Sequence, residues 1–198
     1  MRSLHHLLFG FFLLAIALTA PQSAAYAQNV FINEVDADNN SVPDSLEFVE
    51  LFSQPNVPLD GHIVVFYKGG GNTVTTNVYA AFDLDGFSTD SLGFFLLGNP
   101  AVGGASVIFE PGLLRDGGDA VSLFAGDSLD FLNGTPLTTN GLLDAVVYGT
   151  GDQTNPFLID SLTPGQPQLD EWMLGPQNGG ALSWARLPDG GPSFSSDQ

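Results

Sequence analysis

Apolar residues recur along this chain in short runs, many of them alternating with polar ones, and Gly, Pro, Asn and Asp fill the gaps between them. After the first residues, no run has the length and 3.6-residue period of a good helix, whereas period-two alternation is what a half-buried strand produces. The pattern predicts strands over Val30 to Val35, Glu47 to Phe52, His62 to Lys68, Thr73 to Phe82, Gly93 to Leu97, Ser106 to Phe109, Ala120 to Phe124, Leu142 to Tyr148 and Leu182 to Arg186. In the third of these, Ile63, Val65 and Tyr67 share one face, and His62, Val64, Phe66 and Lys68 the other. Both faces carry apolar residues, which predicts a central strand. Turn chemistry separates the runs, as in Pro58-Leu-Asp-Gly61, Asp116-Gly-Gly-Asp119 and Pro188-Asp-Gly-Gly-Pro192. About nine short strands at this spacing predict an all-β fold, a β-sandwich. The segment Gly149 to Gln177 lacks alternation and is rich in Pro, Gln and Asp, so it reads as a long surface loop.

The first 27 residues break this pattern. Arg2 supplies a positive charge, Leu7 to Leu18 form an apolar run too short to span a bilayer, and Ala25-Tyr26-Ala27 offers the small residues of a cleavage site. Residues 1–27 are therefore expected to be a signal peptide, and residues 28–198 a single secreted domain with no membrane span. The chain has no cysteine, so that domain must be stabilised without disulfides. Cleavage would remove Arg2 and leave Lys68, Arg115 and Arg186 against 22 acidic residues, a formal net charge of −19. A surface of that sign repels phosphate backbones and attracts divalent cations, which argues against nucleic-acid binding through a basic groove.

Several blocks resemble a known family: Ile32-Asn-Glu-Val35, Asp44-Ser-Leu-Glu-Phe-Val-Glu-Leu51, Leu59-Asp-Gly-His-Ile-Val-Val-Phe-Tyr67, Gly93-Phe-Phe-Leu-Leu-Gly98, Leu114 to Phe124, Leu143-Asp-Ala-Val-Val-Tyr-Gly149 and Leu182 to Gly190. In this order they are similar to the bacterial secreted form of the lamin tail domain. The resemblance implies an immunoglobulin-like β-sandwich. In bacteria such domains often accompany secreted nuclease or phosphatase domains, or sit on cell-surface proteins, as non-catalytic modules. No catalytic domain follows before Gln198, so the expectation is a free-standing module, or else an accessory or shortened remnant of such an enzyme. The nuclear lamin tail lies beside a coiled-coil rod. This chain has no heptad segment, so nuclear and filament functions are not carried across.

The turn after the first strand holds the main candidate chemistry. Asp36, Asp38, Asn40, Asp44 and Glu47 stand at positions 1, 3, 5, 9 and 12 of a loop, the spacing of oxygen ligands around calcium in an EF-hand. Ser41 stands where that loop uses Gly, Pro43 interrupts it, and the flanks read as strands. The same residues are also those that hydrogen-bond their own backbone in a long turn. A second acidic turn, Asp83 to Asp90, reads as turn chemistry alone. Glu34 and Glu50 interrupt apolar strands, where an unpaired carboxylate is expensive. A structural role in holding loop amides is expected of them, and a small carboxylate-dependent hydrolase is the alternative. The expected mature chain has one histidine, His62, and no cysteine, a poor inventory for nucleophilic catalysis. These readings together predict a secreted, non-catalytic module with an unidentified protein or surface partner, outside the cell or on its surface.

Overall fold

A computed structural model describes residues 29–38, 44–69, 76–151, 154–171 and 183–196. The expected signal peptide and Asn40 lie outside these. Eleven strands form among the described residues: β1 (Phe31–Asp36), β2 (Phe48–Phe52), β3 (His62–Lys68), β4 (Asn77–Asp83), β5 (Phe94–Gly98), β6 (Val107–Ile108), β7 (Asp119–Ala125), β8 (Leu142–Gly149), β9 (Leu169–Asp170), β10 (Trp184–Arg186) and β11 (Phe194–Ser196). They make two sheets, in the order β11-β10-β1-β2-β5-β6 and β4-β3-β7-β8-β9. Pairing is antiparallel except where β6 joins β5 and β9 joins β8 in parallel at the edges. The chain passes between sheets four times, after β2, β4, β6 and β9.

The fold is therefore the expected all-β sandwich, and alternation explains its main core. Ile32, Val35, Val49, Leu51 and Leu97 of the first sheet face Val64, Phe66, Val121, Leu123, Val146 and Tyr148 of the second. The opposite face of the second sheet is also apolar, through Ile63, Val65, Tyr67, Ala120, Phe124, Ala145 and Val147. Two short elements cover it. One is a 3-10 turn, Ser128–Phe131, whose Phe131 ring stacks on Phe124 with centroids 4.6 Å apart. The other is α1 (Pro156–Leu162), which buries Leu158 and Leu162. This covering layer is why β3 is apolar on both faces.

Helix α1 and strand β9 lie inside the stretch read from sequence as a surface loop. The helix spans only two turns, too few for a hydrophobic period to register. Its signals are local: Asn155 caps it by accepting from the Leu158 N–H at 3.1 Å, and Pro156 occupies the first turn. Strands β9 and β11, of two and three residues, are likewise too short to show alternation.

One ion pair, with Arg186 buried and Asp144 half-buried, joins the two sheets. Arg186 of β10 presents Nη2 to both carboxylate oxygens of Asp144 on β8, each at 2.9 Å. Its Nε donates to the Ile32 carbonyl of β1 at 2.8 Å and its Nη1 to the Gly191 carbonyl at 2.7 Å. Asp144 also accepts from the backbone N–H of Ile32 and of Ala145, and the Phe194 ring lies 4.3 Å from the guanidinium carbon. Removing one partner of such a pair strands a charge with the other's donors or acceptors unused. Asp144→Ala should therefore lower unfolding free energy by about 3–5 kcal/mol, read from the midpoint shift in urea titrations.

Candidate functional site

At one pole of the sandwich, acidic side chains converge from segments far apart in sequence. Asp36 ends β1, and Asp38 follows it. Asp44 lies on the approach to β2, Asp116 in the turn before β7, and Glu171 immediately after β9. The carboxylates of Asp38, Asp44 and Asp116 each place an oxygen within 4.8 Å of the others. Asp38 and Asp44 are half-buried and Asp116 is exposed.

Each segment is held by identifiable bonds. The Asp116 turn is fixed to the second sheet by the Tyr148 hydroxyl, which donates to the Arg115 carbonyl at 3.3 Å. The Gly117 N–H also donates to Thr150 Oγ1 at 3.1 Å. The Arg115 guanidinium carbon lies 5.7 Å from the centre of the Tyr79 ring, so this arginine is placed by an aromatic face. Glu171 is delivered by β9, whose Leu169 and Asp170 pair with Tyr148 and Gly149. Its Oε1 accepts from the Ala37 N–H at 2.9 Å, and its carboxylate also takes the Asp38 N–H. A residue carried by the second sheet thus grips the first sheet's loop.

Burial makes this pole electrostatically costly. Asp36 is 5% exposed and Glu171 7% exposed, and Asp36 Oδ1 and Glu171 Oε2 are buried without a hydrogen-bond partner. Burial pushes the Asp36 carboxyl up to about 7, with further push from Glu34, Asp38, Asp44 and Glu47. Glu171 is raised well above the usual range by burial first, and then by Asp36 and Asp38 despite its two backbone donors. Asp38 is raised by burial and by Asp116.

Of the five residues singled out in the sequence, the structure brings Asp38 and Asp44 together and puts Asp36 beside them. Asn40 lies outside the described residues. Glu47 is engaged with other segments: its Oε2 accepts from Asn99 Nδ2 at 3.1 Å and from the N–H groups of Gly112 and Leu113 at 2.8 and 3.2 Å. Its own N–H donates to Asn99 Oδ1. The two residues that sequence reasoning did not include are Asp116 and Glu171. Asp116 was visible only as part of a Gly-rich turn, and Glu171 only as one acid in a supposed loop. Nothing in local spacing links either to Asp38.

The second acidic turn behaves differently. Asp90 Oδ1 accepts from the N–H groups of Leu92 and Phe94, Asp83 Oδ1 from that of Asp85, Asp85 Oδ1 from that of Gly61, and Asp60 Oδ1 from that of Gly86. Those donors hold the exposed Asp90 below the usual carboxylate range. There, carboxylates close turns.

Glu34 and Glu50 stand directly opposite each other on β1 and β2, half-buried and turned away from the main core. Ser183 Oγ donates to Glu34 Oε1. Asn33, at an irregularity in the β1–β2 register, donates through Nδ2 to Glu50 Oε1 at 2.9 Å and to Asp189 Oδ1 at 3.1 Å. Its Oδ1 accepts from the Gly190 N–H. Burial is the main reason the Glu50 carboxyl is raised. His62 sits at the start of β3, with Nδ1 3.2 Å from the Leu59 carbonyl.

Compared with family models, with characterised proteins and with solved structures, the chain shows no match.

A pH dependence follows from Glu47, which is fully buried with Oε1 lacking a hydrogen-bond partner. Burial lifts its carboxyl from 4.5 to about 7, the donors from Asn99, Gly112 and Leu113 pull it down, and Asp44 pushes it up. Between those two values the folded chain keeps a proton that the unfolded chain has released, so stability falls as pH rises. Its contribution is full below about 4.5 and is lost as pH passes through about 7. Urea midpoints in chelator-treated buffer should decline from pH 5 to pH 8, and Glu47→Gln should reduce that slope.

Proposed function

We propose that this chain is a non-catalytic module of the lamin-tail-like kind, with an immunoglobulin-like arrangement of its two sheets. It is exported and has a structural or binding role outside the cell or at its surface, where its partner is a protein or a surface component. The family-like blocks support this reading by falling on framework elements: Ile32–Val35 lies within β1, Leu143–Gly149 within β8, and the last block spans β10 and the following turn.

The observation that carries the reading is how the polar groups best suited to chemistry are used. Glu50 and Asn33 fasten the turn at Asp189 and Gly190 to β1 and β2, Ser183 ties β10 to Glu34, and Glu47 holds the 112–113 backbone. Asp144 is engaged with Arg186. Carboxylates that position backbone through several bonds at once are poorly placed to exchange protons with a substrate. The lack of cysteine in the sequence suits a core that holds its shape in any redox compartment.

The purified chain should show no turnover above buffer in nuclease, phosphatase and glycosidase assays between pH 5 and pH 8, with or without divalent cations. Robust hydrolysis that disappears in Glu50→Gln would replace this reading with a carboxylate-dependent hydrolase. When expressed with its leader in a bacterial host, the exported protein should begin at Gln28 by N-terminal sequencing. Retention of residues 1–27 on a membrane-bound product would refute export by cleavage.

A further inference from the structure

We propose that the outer face of the first sheet is a docking surface for an extended polypeptide segment in which arginine or lysine alternates with apolar side chains. This rests on the reading of the chain as a binding module and adds to it the face used and the chemistry of the partner. The pleat defines the face. In β2, Val49 and Leu51 enter the core, so Phe48, Glu50 and Phe52 point outward. In β5, Phe95 and Leu97 enter the core, and Phe94 and Leu96 point outward. Strand register then sets Phe31, Phe52 and Phe94 in one row across β1, β2 and β5, and Glu34, Glu50 and Leu96 in another. Ile108 of β6 stands opposite Gly98, extends the apolar part of the face and is 53% exposed.

The two sheets differ in what lies over their outer faces. That of the second sheet is covered by Phe131 and α1. That of the first is covered at one corner, where Gly190 sits so close to the Phe52 and Phe31 rings that a Cβ on it would stand 2.9 Å from Phe52 Cδ1. Toward β5 and β6, Phe94 and Leu96 stay half-buried and Ile108 exposed. The Phe52 and Phe94 rings pack against each other with centroids 5.1 Å apart, so the aromatic row is a continuous surface. An apolar surface with polar groups set into it is the composition of an interaction site.

Charge decides what occupies it. Glu50 lies at the centre of the face, and the charges that act on it most strongly, those of Glu34, Asp189 and Asp90, are all negative. The basic side chains of the described residues are placed elsewhere: Lys68 ends β3 in the other sheet, Arg115 lies against Tyr79, and Arg186 faces Asp144. A second copy docked through the same face would set Glu50 against like charge on a chain of formal net charge −18. Nucleic acid and anionic lipid are repelled for the same reason, and a neutral glycan leaves the charge uncompensated. Arginine or lysine answers both features of the face, since its aliphatic stem covers a phenyl ring while its head reaches a carboxylate. Side chains on one face of an extended segment recur at every second residue, about 6.4–6.8 Å apart. That is the interval from Phe48 to Glu50 and from Glu50 to Phe52, so such a segment sets a cation over the carboxylate and an apolar group over each ring.

The test is fluorescence anisotropy of the labelled peptide Ser-Phe-Ser-Arg-Ser-Phe-Ser-Arg-Ser-Phe-Ser with the exported chain in about 0.15 M salt, which screens long-range attraction. Saturable one-to-one binding below about 1 mM is expected. Changing the peptide's arginines to glutamate, or its phenylalanines to serine, should weaken binding at least about tenfold. In the protein, Glu50→Gln and Ile108→Ser should each weaken it about fivefold or more, with melting curves showing that both variants are folded. Leu132→Ser, an exposed apolar position beside the 3-10 turn on the second sheet, and Asp85→Asn, at the second acidic turn, should bind as the parent chain does. The peptide changes carry the test even where a protein variant fails to fold. The proposal is overturned if the peptide does not saturate, if the glutamate peptide binds as well as the arginine peptide, or if Leu132→Ser or Asp85→Asn loses as much as the two face variants. It is also overturned by a dimer in sedimentation velocity that Ile108→Ser abolishes, which would give the face to a second copy, or by displacement of the peptide with cellohexaose, which would give it to a glycan. Turnover in the hydrolase assays would overturn the module reading beneath it, whereas no turnover together with no peptide binding overturns this inference alone.

Discussion

Two sheets can share an apolar core and still slide over one another, because hydrophobic contact has no direction. What fixes their mutual position is the Arg186–Asp144 pair. Its guanidinium spans β10, the Ile32 carbonyl of β1, the Gly191 carbonyl and the β8 carboxylate, while Asp144 also takes the Ile32 N–H. Charge-assisted bonds from all three guanidinium nitrogens make this joint orientationally strict as well as strong. In a chain with no disulfide, it does what a cross-link would do: it specifies which strand of one sheet stands over which strand of the other. With β1 and β8 so registered, their ends at the acidic pole are brought level, and Glu171, paired in through β9, reaches the backbone of Ala37 and Asp38.

The pole also shows how a stable frame tolerates local cost. The core strands supply stabilisation through many buried apolar side chains, whereas the ends of β1 and β9 collect acids whose burial opposes folding. Groups of this kind recur where a protein holds something, because burial and like charge are what a bound ligand or a proton then relieves. The contrast with Glu47 is instructive. Also buried and also raised, it has donors from three residues and organises the backbone at 112 and 113, so its burial is explained by the fold itself.

The parts of this architecture legible in sequence were those written in consecutive residues. Alternation placed β3 over His62–Lys68 as observed, and put β2, β5, β7 and β8 within a residue or so of their ends. The doubly apolar character of β3 was visible, but its cause was not. The covering layer comes from Phe131 and a two-turn helix, whose signals are an Asn-Pro cap and not a period. The same limit applies to the acidic cluster. Asp36, Asp38 and Asp44 were visible because they share one loop. Asp116 and Glu171 became neighbours of that loop only through the crossing after β6 and the parallel pairing of β9, which no spacing rule encodes. Arg186 and Asp144, 42 residues apart, were hidden for the same reason.

The brevity of the edge strands bears on how this protein behaves in company. An open sheet edge is a row of unused backbone donors and acceptors, and long flat edges recruit other chains into mixed sheets. Here β6 and β9 are two residues long and β11 three. Among the described residues the one long edge, β4, is partly covered where Val78 exchanges backbone bonds with Gly134 and Thr135, and it ends in the exposed Asp83. A strongly acidic all-β chain finished this way offers little template for edge-to-edge growth.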